Sequence, residues 1–253
     1  MLWLGGQIGC LERLSIASFL TAGHPLKLHV YDDQSGVPAG TEVVDAAETV
    51  PRALALSLRH KKTGSFSLAA DYFRLQLQRQ SKGLWVDTDM VCLRPFDMSE
   101  DTVFGWQLPS SINNAVLKLP PDSMVLTEMI AAFQPGTSPE WSDRHRRRQM
   151  WMKRLLRIKW DATDLPWGTL GPVALTHLAR KYGVDRYAAP IPVFYPVPLS
   201  HAPDLLSTAD TASRFISEET KGVHLWHSAL DPVERAQPNR NSFIGQLVLR
   251  FGV

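Results

Sequence analysis

The sequence predicts an α/β protein whose first third folds as a unit with parallel strands. Two observations carry that expectation. Strand and helix signals alternate from Leu2 to Gln80, the pattern of β-α-β construction. The strongest helix signal then feeds, through Ser81-Lys82-Gly83, straight into a short apolar run that ends in Asp87-Thr88-Asp89. Ligands of open α/β sheets bind beyond the carboxyl ends of strands, which is where these carboxylates fall.

Taken in order, Leu2-Trp3-Leu4 reads as a first strand, followed by the turn Gly5-Gly6. A helix follows through Leu11, Leu14, Ile16, Ser18 and Phe19, stopped at Gly23 and sealed by Pro25. Leu26 to Tyr31 is a second strand and Glu42 to Val44 a weak third. From Ser67, taken as N-cap, to Gln80 the apolar positions Leu68, Tyr72 and Leu75 recur at helical spacing. Asp71 and Arg74 are three apart on that helix and therefore neighbours on its surface; alone they read first as a solvated helix pair.

Gly83 to Val86 is strand-like, and a backbone turning at the strand end lets Asp87 and Asp89 converge. Two convergent carboxylates make a hard-oxygen site for Mg²⁺ or Mn²⁺, usually completed by phosphates and water. On three residues alone, a polar turn explains the motif as well. Met90 to Leu93 is expected as an edge strand, Thr102 to Leu108 and Asn113 to Leu119 as a hairpin, and Pro120 to Phe133 as a further helix.

Arg144 to Trp160 holds six Arg, two Lys and no acid, interleaved with Trp151, Met152, Leu155 and Ile158. Read as one helix, the apolar residues share a face and Arg147, Arg148, Arg154 and Arg157 lie largely elsewhere. That composition suits the surface of an anionic membrane, or a helix packed on the core with a solvated charged face. No nucleic-acid motif accompanies it, and nucleic acid is not expected as a partner. Beyond it, Gly168 to Pro172 leads into a helix over Val173 to Tyr182, and Ala189 to Pro198 reads as an edge strand. Gly222 to Ser228 is strand-like, with His224 and Trp226 on one face and His227 on the other.

At 253 residues with 44% hydrophobic and 21% charged residues, the chain has the composition of a globular domain with one sizeable core. The longest apolar runs are too short for a membrane span. No secretory leader is evident, and Cys10 and Cys92 form neither a metal spacing nor a disulfide framework. A cytoplasmic location is therefore the expectation.

The run Ser67 to Pro95 closely resembles the DXD-containing sugar-binding region of glycosyltransferase family 32 and of capsular polysaccharide synthesis proteins. In those, a helix with an A-x-D-x-x-R core is followed by a glycine, a hydrophobic pair and D-x-D. The resemblance extends to LWLGG at the start, to Asn113-Asn114-Ala115-Val116, to Gly171-Pro172 and to the late His-x-Trp-x-x-Ser element at His224, Trp226 and Ser228. It implies a GT-A, Rossmann-like fold with a mixed, mostly parallel central sheet spanning 1–253 as a single domain. Residues 1–108 would form the nucleotide-sugar and metal half, and residues 109–253 the acceptor-side half with a C-terminal closing element.

The resemblance also implies roles. Asp87 and Asp89, joined by His224, would hold Mn²⁺ or Mg²⁺, with Asp87, Asp89 and Arg74 as the catalytic group. Asp71 and Arg74 would contact the donor sugar, Asp87 the ribose or donor sugar, Asn114 the sugar or acceptor side, Leu4 and Gly5 the nucleoside, and Trp226 and Ser228 the diphosphate, with Thr88 and Gly171 also lining the substrate. The donor would be a UDP- or GDP-sugar and the acceptor a carbohydrate or lipid-linked hydroxyl, with sugar transferred under retention. The enzyme would sit peripherally at the inner face of the membrane through Arg144 to Trp160. Lys82-Gly83 replaces the family's double glycine and Trp85 its tyrosine; neither change is expected to touch a ligand group.

Two rivals remain. Asp87-Thr88-Asp89-Met90-Val91 also fits the D-x-D-x-T/V motif of haloacid dehalogenase-type phosphatases, with Asp87 as nucleophile. That family normally places the motif on its first strand and follows it with a G-D-x-x-x-D element, which this sequence lacks. The other is a non-catalytic sugar-binding or membrane-associated module, disfavoured because Asp71, Arg74, Asp87, Asp89 and His224 occur together.

Overall fold

A computed structural model describes residues 1–253. Strand β1 (Leu2–Trp3) enters the core and is followed by helix α1 (Cys10–Thr21). The Glu12 carboxylate accepts a hydrogen bond from the Gly9 N–H at 2.8 Å and so satisfies a donor at the helix start. Gly23 ends the helix region with φ +84°, a conformation that glycine adopts without strain. Strands β2 (Lys27–Val30) and β3 (Glu42–Asp45) complete a parallel sheet of order β1-β2-β3, with Leu2 opposite His29 and His29 opposite Val44. All three strands and α1 match the sequence expectation to within a residue or two.

After the short helix α2 (Arg52–Ser57) comes α3 (Ser67–Arg79), which buries Leu68, Phe73, Leu75 and Leu77. Ser67 is not its N-cap: it is the first helical residue, its N–H donates to Ser65 Oγ, and Phe66 occupies the cap. The chain then forms β4 (Trp85–Val86), turns, and forms β5 (Met90–Cys92), which is wholly buried. The hairpin β6 (Val103–Leu108) and β7 (Ser111–Lys118) is as expected, and its second strand pairs antiparallel with β4.

Helices α4 (Met124–Ala131), α5 (Arg144–Leu155) and α6 (Pro172–Lys181) follow. Ser123 and Asp143 cap the first two, each accepting a backbone N–H from the first turn. Pro172 stands in the first turn of α6, where its missing N–H costs nothing. The basic segment is not one helix to Trp160. It stops at Leu155, and Arg157 turns the chain at φ +55°, so Ile158 is not on the helical face assigned to it.

Ala189 to Pro198 is not an edge strand either. Only Ala189 bridges β6, and Ile191–Phe194 forms one turn of helix, α7. Pro190 and Pro192 fix φ near helical values at its start. Phe194 and Tyr195 then pack against Gly105, where a Cβ would lie 2.8 Å from the Phe194 ring. The chain closes with α8 (Ala209–Ser213), β8 (Gly222–His224), α9 (Pro232–Ala236) and α10 (Phe243–Phe251).

The architecture is α/β, but the strands do not form one mostly parallel sheet. Parallel pairing is confined to β1-β2-β3; β4-β7-β6 and β5-β8 are separate antiparallel units. The reason lies at residues 87–89. The turn there cuts what would be one strand into two short ones, and each takes a different downstream partner.

The core follows the same division. One apolar cluster packs α3, α4 and α6 around Trp85, Phe104 and Leu117. A second joins Ile16, Phe19 and Leu28 to Met90, Phe96 and Phe194. A third lies between α1, β8 and α10 around Leu11, Val223 and Ile244.

One buried group makes stability pH-dependent. The His29 ring packs edge-on to Phe73 with centroids 5.2 Å apart, and its Nδ1 is buried without a hydrogen-bond partner. Burial first, then the positive charges of the N-terminus, Lys82 and Lys27, push its pKa from 6.5 down to about 4. The unfolded chain therefore binds more protons between those values, and stability falls as pH drops from 6.5 towards 4. The expected loss is on the order of 1–2 kcal/mol after allowing for solvent screening. Urea unfolding midpoints of wild type and His29→Leu should therefore diverge across that window. Parallel pH profiles for the two proteins exclude His29 as the cause.

Candidate metal centre

The site forms where the two antiparallel ladders meet. Asp87 N–H donates to Ala115 O, continuing the β4–β7 pairing, and Met90 N–H donates back to Asp87 O across the turn at 3.1 Å. Asp87-Thr88-Asp89 is that turn. On its far side Met90 pairs with His224, and Leu225 N–H donates to Asp89 O at 2.8 Å. Helix α1 clamps β5 from behind: Ser15 Oγ donates to Met90 O, and Cys92 N–H donates to Ser18 Oγ. Backbone pairing therefore places both carboxylates and one imidazole at a single point.

One ligand atom from each of Asp87, Asp89 and His224 lies within 4.8 Å of the others. Asp89 Oδ1 is 3.2 Å from His224 Nε2, and Asp89 Oδ2 accepts the His227 N–H at 3.1 Å. Burial works against the charge on Asp89, but His224 and the His227 N–H outweigh it and hold the carboxyl below its ordinary range. Burial likewise opposes charge on His224, yet Asp89 and, behind it, Asp87 hold its pKa above the ordinary value. Asp87 is pushed up, first by burial and also by Asp89, with Arg74 opposing. Its side chain remains 24% exposed and that of Asp89 17%, so both open to solvent.

Two carboxylate oxygens and one imidazole nitrogen can hold a divalent cation. Carboxylates suit Mg²⁺ and Mn²⁺, and the imidazole tilts the set towards Mn²⁺. One feature departs from a mature metal site: His224 Nδ1 is buried with no hydrogen-bond partner, whereas a ligating histidine usually donates through its other nitrogen. The ring is instead held by aromatic neighbours, Trp226 edge-on at 4.1 Å and Tyr195 at 5.9 Å.

Behind the carboxylates lies a buried polar network. The Arg74 guanidinium sits 3.1 Å from Asp87 Oδ1 and 3.5 Å from Asp71 Oδ1, donates to Asn114 O at 2.5 Å, and lies 5.1 Å above the Trp85 ring. Asn114 Nδ2 donates to Asp71 Oδ1 at 2.8 Å. Burial raises the Asp71 pKa, and Arg74 and Asn114 oppose that rise. Arg74 is thus saturated by protein groups, and what it does is position Asp87. Gly171, the residue before α6, closes over Asp71: a Cβ there would lie 2.8 Å from both carboxylate oxygens. A side chain at that position would displace the acid.

The structure therefore gathers Asp71, Arg74, Asp87, Asp89, Asn114, Gly171, His224 and Trp226 around one centre, with Thr88 half-exposed in the turn. It does not join Leu4, Gly5 or Ser228 to that network by any hydrogen bond. Leu4 and Gly5 follow the end of β1, where the Trp3 ring folds over Gly5 and donates to Gly6 O. Ser228 is exposed on a 3₁₀ turn. That turn begins because Trp226 takes a left-handed conformation, φ 55° and ψ 47°, so the strand expected to reach Ser228 ends at His224.

Two site residues stand outside the set expected from sequence. Trp85 does touch a ligand group: its Nε1 donates to Asp87 Oδ1 at 2.6 Å, correcting the expectation that its replacement of tyrosine is neutral. The signal was present in the spacing, since residues two apart on a strand share a face. His227 contributes its backbone N–H to Asp89 and its ring to Glu12, 3.3 Å away, which no sequence pattern indicates.

Both cysteines are free thiols, and no helix is long and apolar enough to cross a membrane. No protein-family model matches the chain, and no curated protein matches it.

Proposed function

We propose that the chain is a metal-dependent glycosyltransferase of the GT-A kind. It would move a sugar from a UDP- or GDP-sugar to a hydroxyl of a carbohydrate or lipid-linked acceptor. The observation that carries this reading is the convergence of Asp87, Asp89 and His224 directly in front of the buried Asp71–Arg74–Asn114 network. A cation site alone fits many chemistries. A cation site backed by a rigid polar wall also offers groups that can recognise sugar hydroxyls, and Asp71, Asn114 and Thr88 are those groups here.

Asp87, Asp89 and His224 would hold Mn²⁺ or Mg²⁺. Bound there, the cation supplies Lewis-acid stabilisation for the negative charge that builds on a departing nucleoside diphosphate. The chain's own residues do the rest. Arg74 and Trp85 hold Asp87 in one orientation, so that little reorganisation accompanies the reaction. The His227 N–H and His224 do the same for Asp89, and Trp226, packed edge-on against His224, would help to hold that ring in place. Transfer is proposed with retention, the acceptor hydroxyl attacking from the leaving-group side without a protein nucleophile.

The phosphatase alternative gains nothing from the geometry. Asp87 Oδ1 is already engaged by Arg74 and Trp85, and the motif forms the turn after β4 rather than following the first strand. The test is a screen of UDP- and GDP-sugars for Mn²⁺-dependent release of nucleoside diphosphate, with and without simple sugar acceptors. Turnover of at least one donor, abolished by chelator, is the expected result. Turnover of a generic phosphate monoester with none of any nucleotide sugar overturns the reading. Donor binding without turnover points to the non-catalytic module.

A further inference from the structure

Helix α5 and the four residues after it present a cluster of exposed apolar side chains. Trp151 is 60% exposed, Met152 42%, Leu155 64%, Leu156 61% and Ile158 48%. Of the whole helix only Met150 is buried. The segment is nonetheless firmly seated: Met150 and Trp160 both enter the main core cluster, and Trp160 Nε1 donates to Thr137 O at 3.2 Å. The helix therefore does pack on the core, as one of the two expectations had it, but through Met150, and the apolar residues expected to face inward, Trp151, Met152 and Leu155, are exposed.

The charges are arranged to match. Arg146 and Lys153 flank Met150 at helical spacing and are half-buried, which fixes the inward side. The outward side then carries Arg144, Arg148, Trp151 and Leu155 at successive four- and three-residue steps. Arginine and apolar side chains share this face, correcting the expectation that they lie on different ones. None of the six arginines and two lysines between residues 144 and 160 lies within ion-pair distance of a carboxylate. One surface thus presents unpaired cations beside large side chains that lack a protein partner.

We propose that this face docks on an anionic lipid bilayer, with Trp151, Leu155 and Leu156 entering the headgroup boundary and the arginines on lipid phosphates. The apolar tip gains by leaving water and the unpaired cations by meeting negative headgroups, so the patch satisfies both requirements of interfacial binding. A polyanion such as nucleic acid would use the charges and leave the exposed Trp and Leu side chains wet. A second copy of the same face would oppose arginine to arginine. The inference is independent of what the metal centre does.

The full chain is sedimented with phosphatidylglycerol-containing vesicles and with pure phosphatidylcholine vesicles, beside Trp151→Ser/Leu155→Ser and Arg144→Glu/Arg148→Glu. Wild type should partition onto the anionic vesicles, and each double variant should bind about tenfold more weakly or worse. Raising salt should weaken the wild-type protein strongly, because exposed charge interactions are screened. All of these side chains are exposed, so thermal melting of the variants should match wild type, and donor hydrolysis, where present, should be unaffected. Equal binding to both vesicle types overturns the proposal, as does absence of binding. Undiminished binding by the Ser variant overturns it in favour of a generic polyanion site. A wild-type dimer dissolved by the Ser variant, without vesicle binding, overturns it in favour of self-association.

Discussion

Asp89→Ala is expected to abolish metal-dependent nucleotide-sugar turnover while the protein still folds. Asp89 is the carboxylate that faces both remaining ligands: it touches His224 Nε2 and shares the cluster with Asp87, whose own Oδ1 is committed to Arg74 and Trp85. Removing it leaves one carboxylate and one imidazole, too few to hold Mn²⁺ or Mg²⁺ against water. Lewis-acid stabilisation is worth several kcal/mol, and each ~1.4 kcal/mol is tenfold in rate, so the loss should exceed about a thousandfold.

The fold should tolerate the change for a definite reason. The substitution deletes a like charge next to Asp87, relieving one of the interactions that push the Asp87 pKa up. It also removes the anion that pairs with His224, which can lose its proton in response. A modest change in melting temperature beside complete loss of turnover is the expected pattern. The measurement is Mn²⁺ binding by calorimetry together with donor hydrolysis. Full hydrolysis by the alanine variant, or by wild type in excess chelator, sinks the metal mechanism.

The sequence made the local parts of this centre legible and hid the long-range ones. Helix α3 could be placed because its apolar residues recur at helical spacing, and that placed Asp71 and Arg74 side by side. The turn at Asp87-Thr88-Asp89 was open to two readings, and the structure joins them: it is a polar turn, and that turn is what makes the carboxylates converge.

The third ligand, His224, was legible only through the resemblance; the strand pairing that brings it to the carboxylates was not. Met90 meets His224 by antiparallel pairing across more than half the chain, and nothing in either short strand encodes its partner. The same blindness explains the mostly parallel sheet expected but not found. Strands of two or three residues carry too little alternation to specify direction. Ala189 to Pro198 failed for another reason: its prolines favour extended chain and helix starts alike, and packing of Phe194 and Tyr195 against Gly105 decided between them. Exposure of the Trp151 face could not be read either, since an apolar stripe looks the same whether a core or a membrane covers it.

Arg74→Met should be the most destabilising single substitution in the site. The guanidinium is buried between two carboxylates, Asp71 and Asp87, and it also satisfies Asn114 O. Methionine approximates its stem and can still lie on the Trp85 ring, so packing changes little and the charge is what is lost. Asp71 is then left buried, and Asp87 part-buried, without their cation, and breaking a buried pair costs up to about 3–5 kcal/mol. In a chain of this size that corresponds to a fall in melting temperature of roughly 6–20 °C. The cost belongs to the stranded carboxylates more than to the missing arginine, and this makes the argument testable. Adding Asp71→Asn and Asp87→Asn to Arg74→Met should recover much of the lost stability, because the neutral amides need no counter-charge and Asn114 can still bond to position 71. Donor turnover should stay absent in the triple variant, since residue 87 is no longer a carboxylate ligand. A triple variant less stable than Arg74→Met alone would show that the arginine stabilises the fold through its hydrogen bond to Asn114 and its contact with Trp85, and not through the two acids.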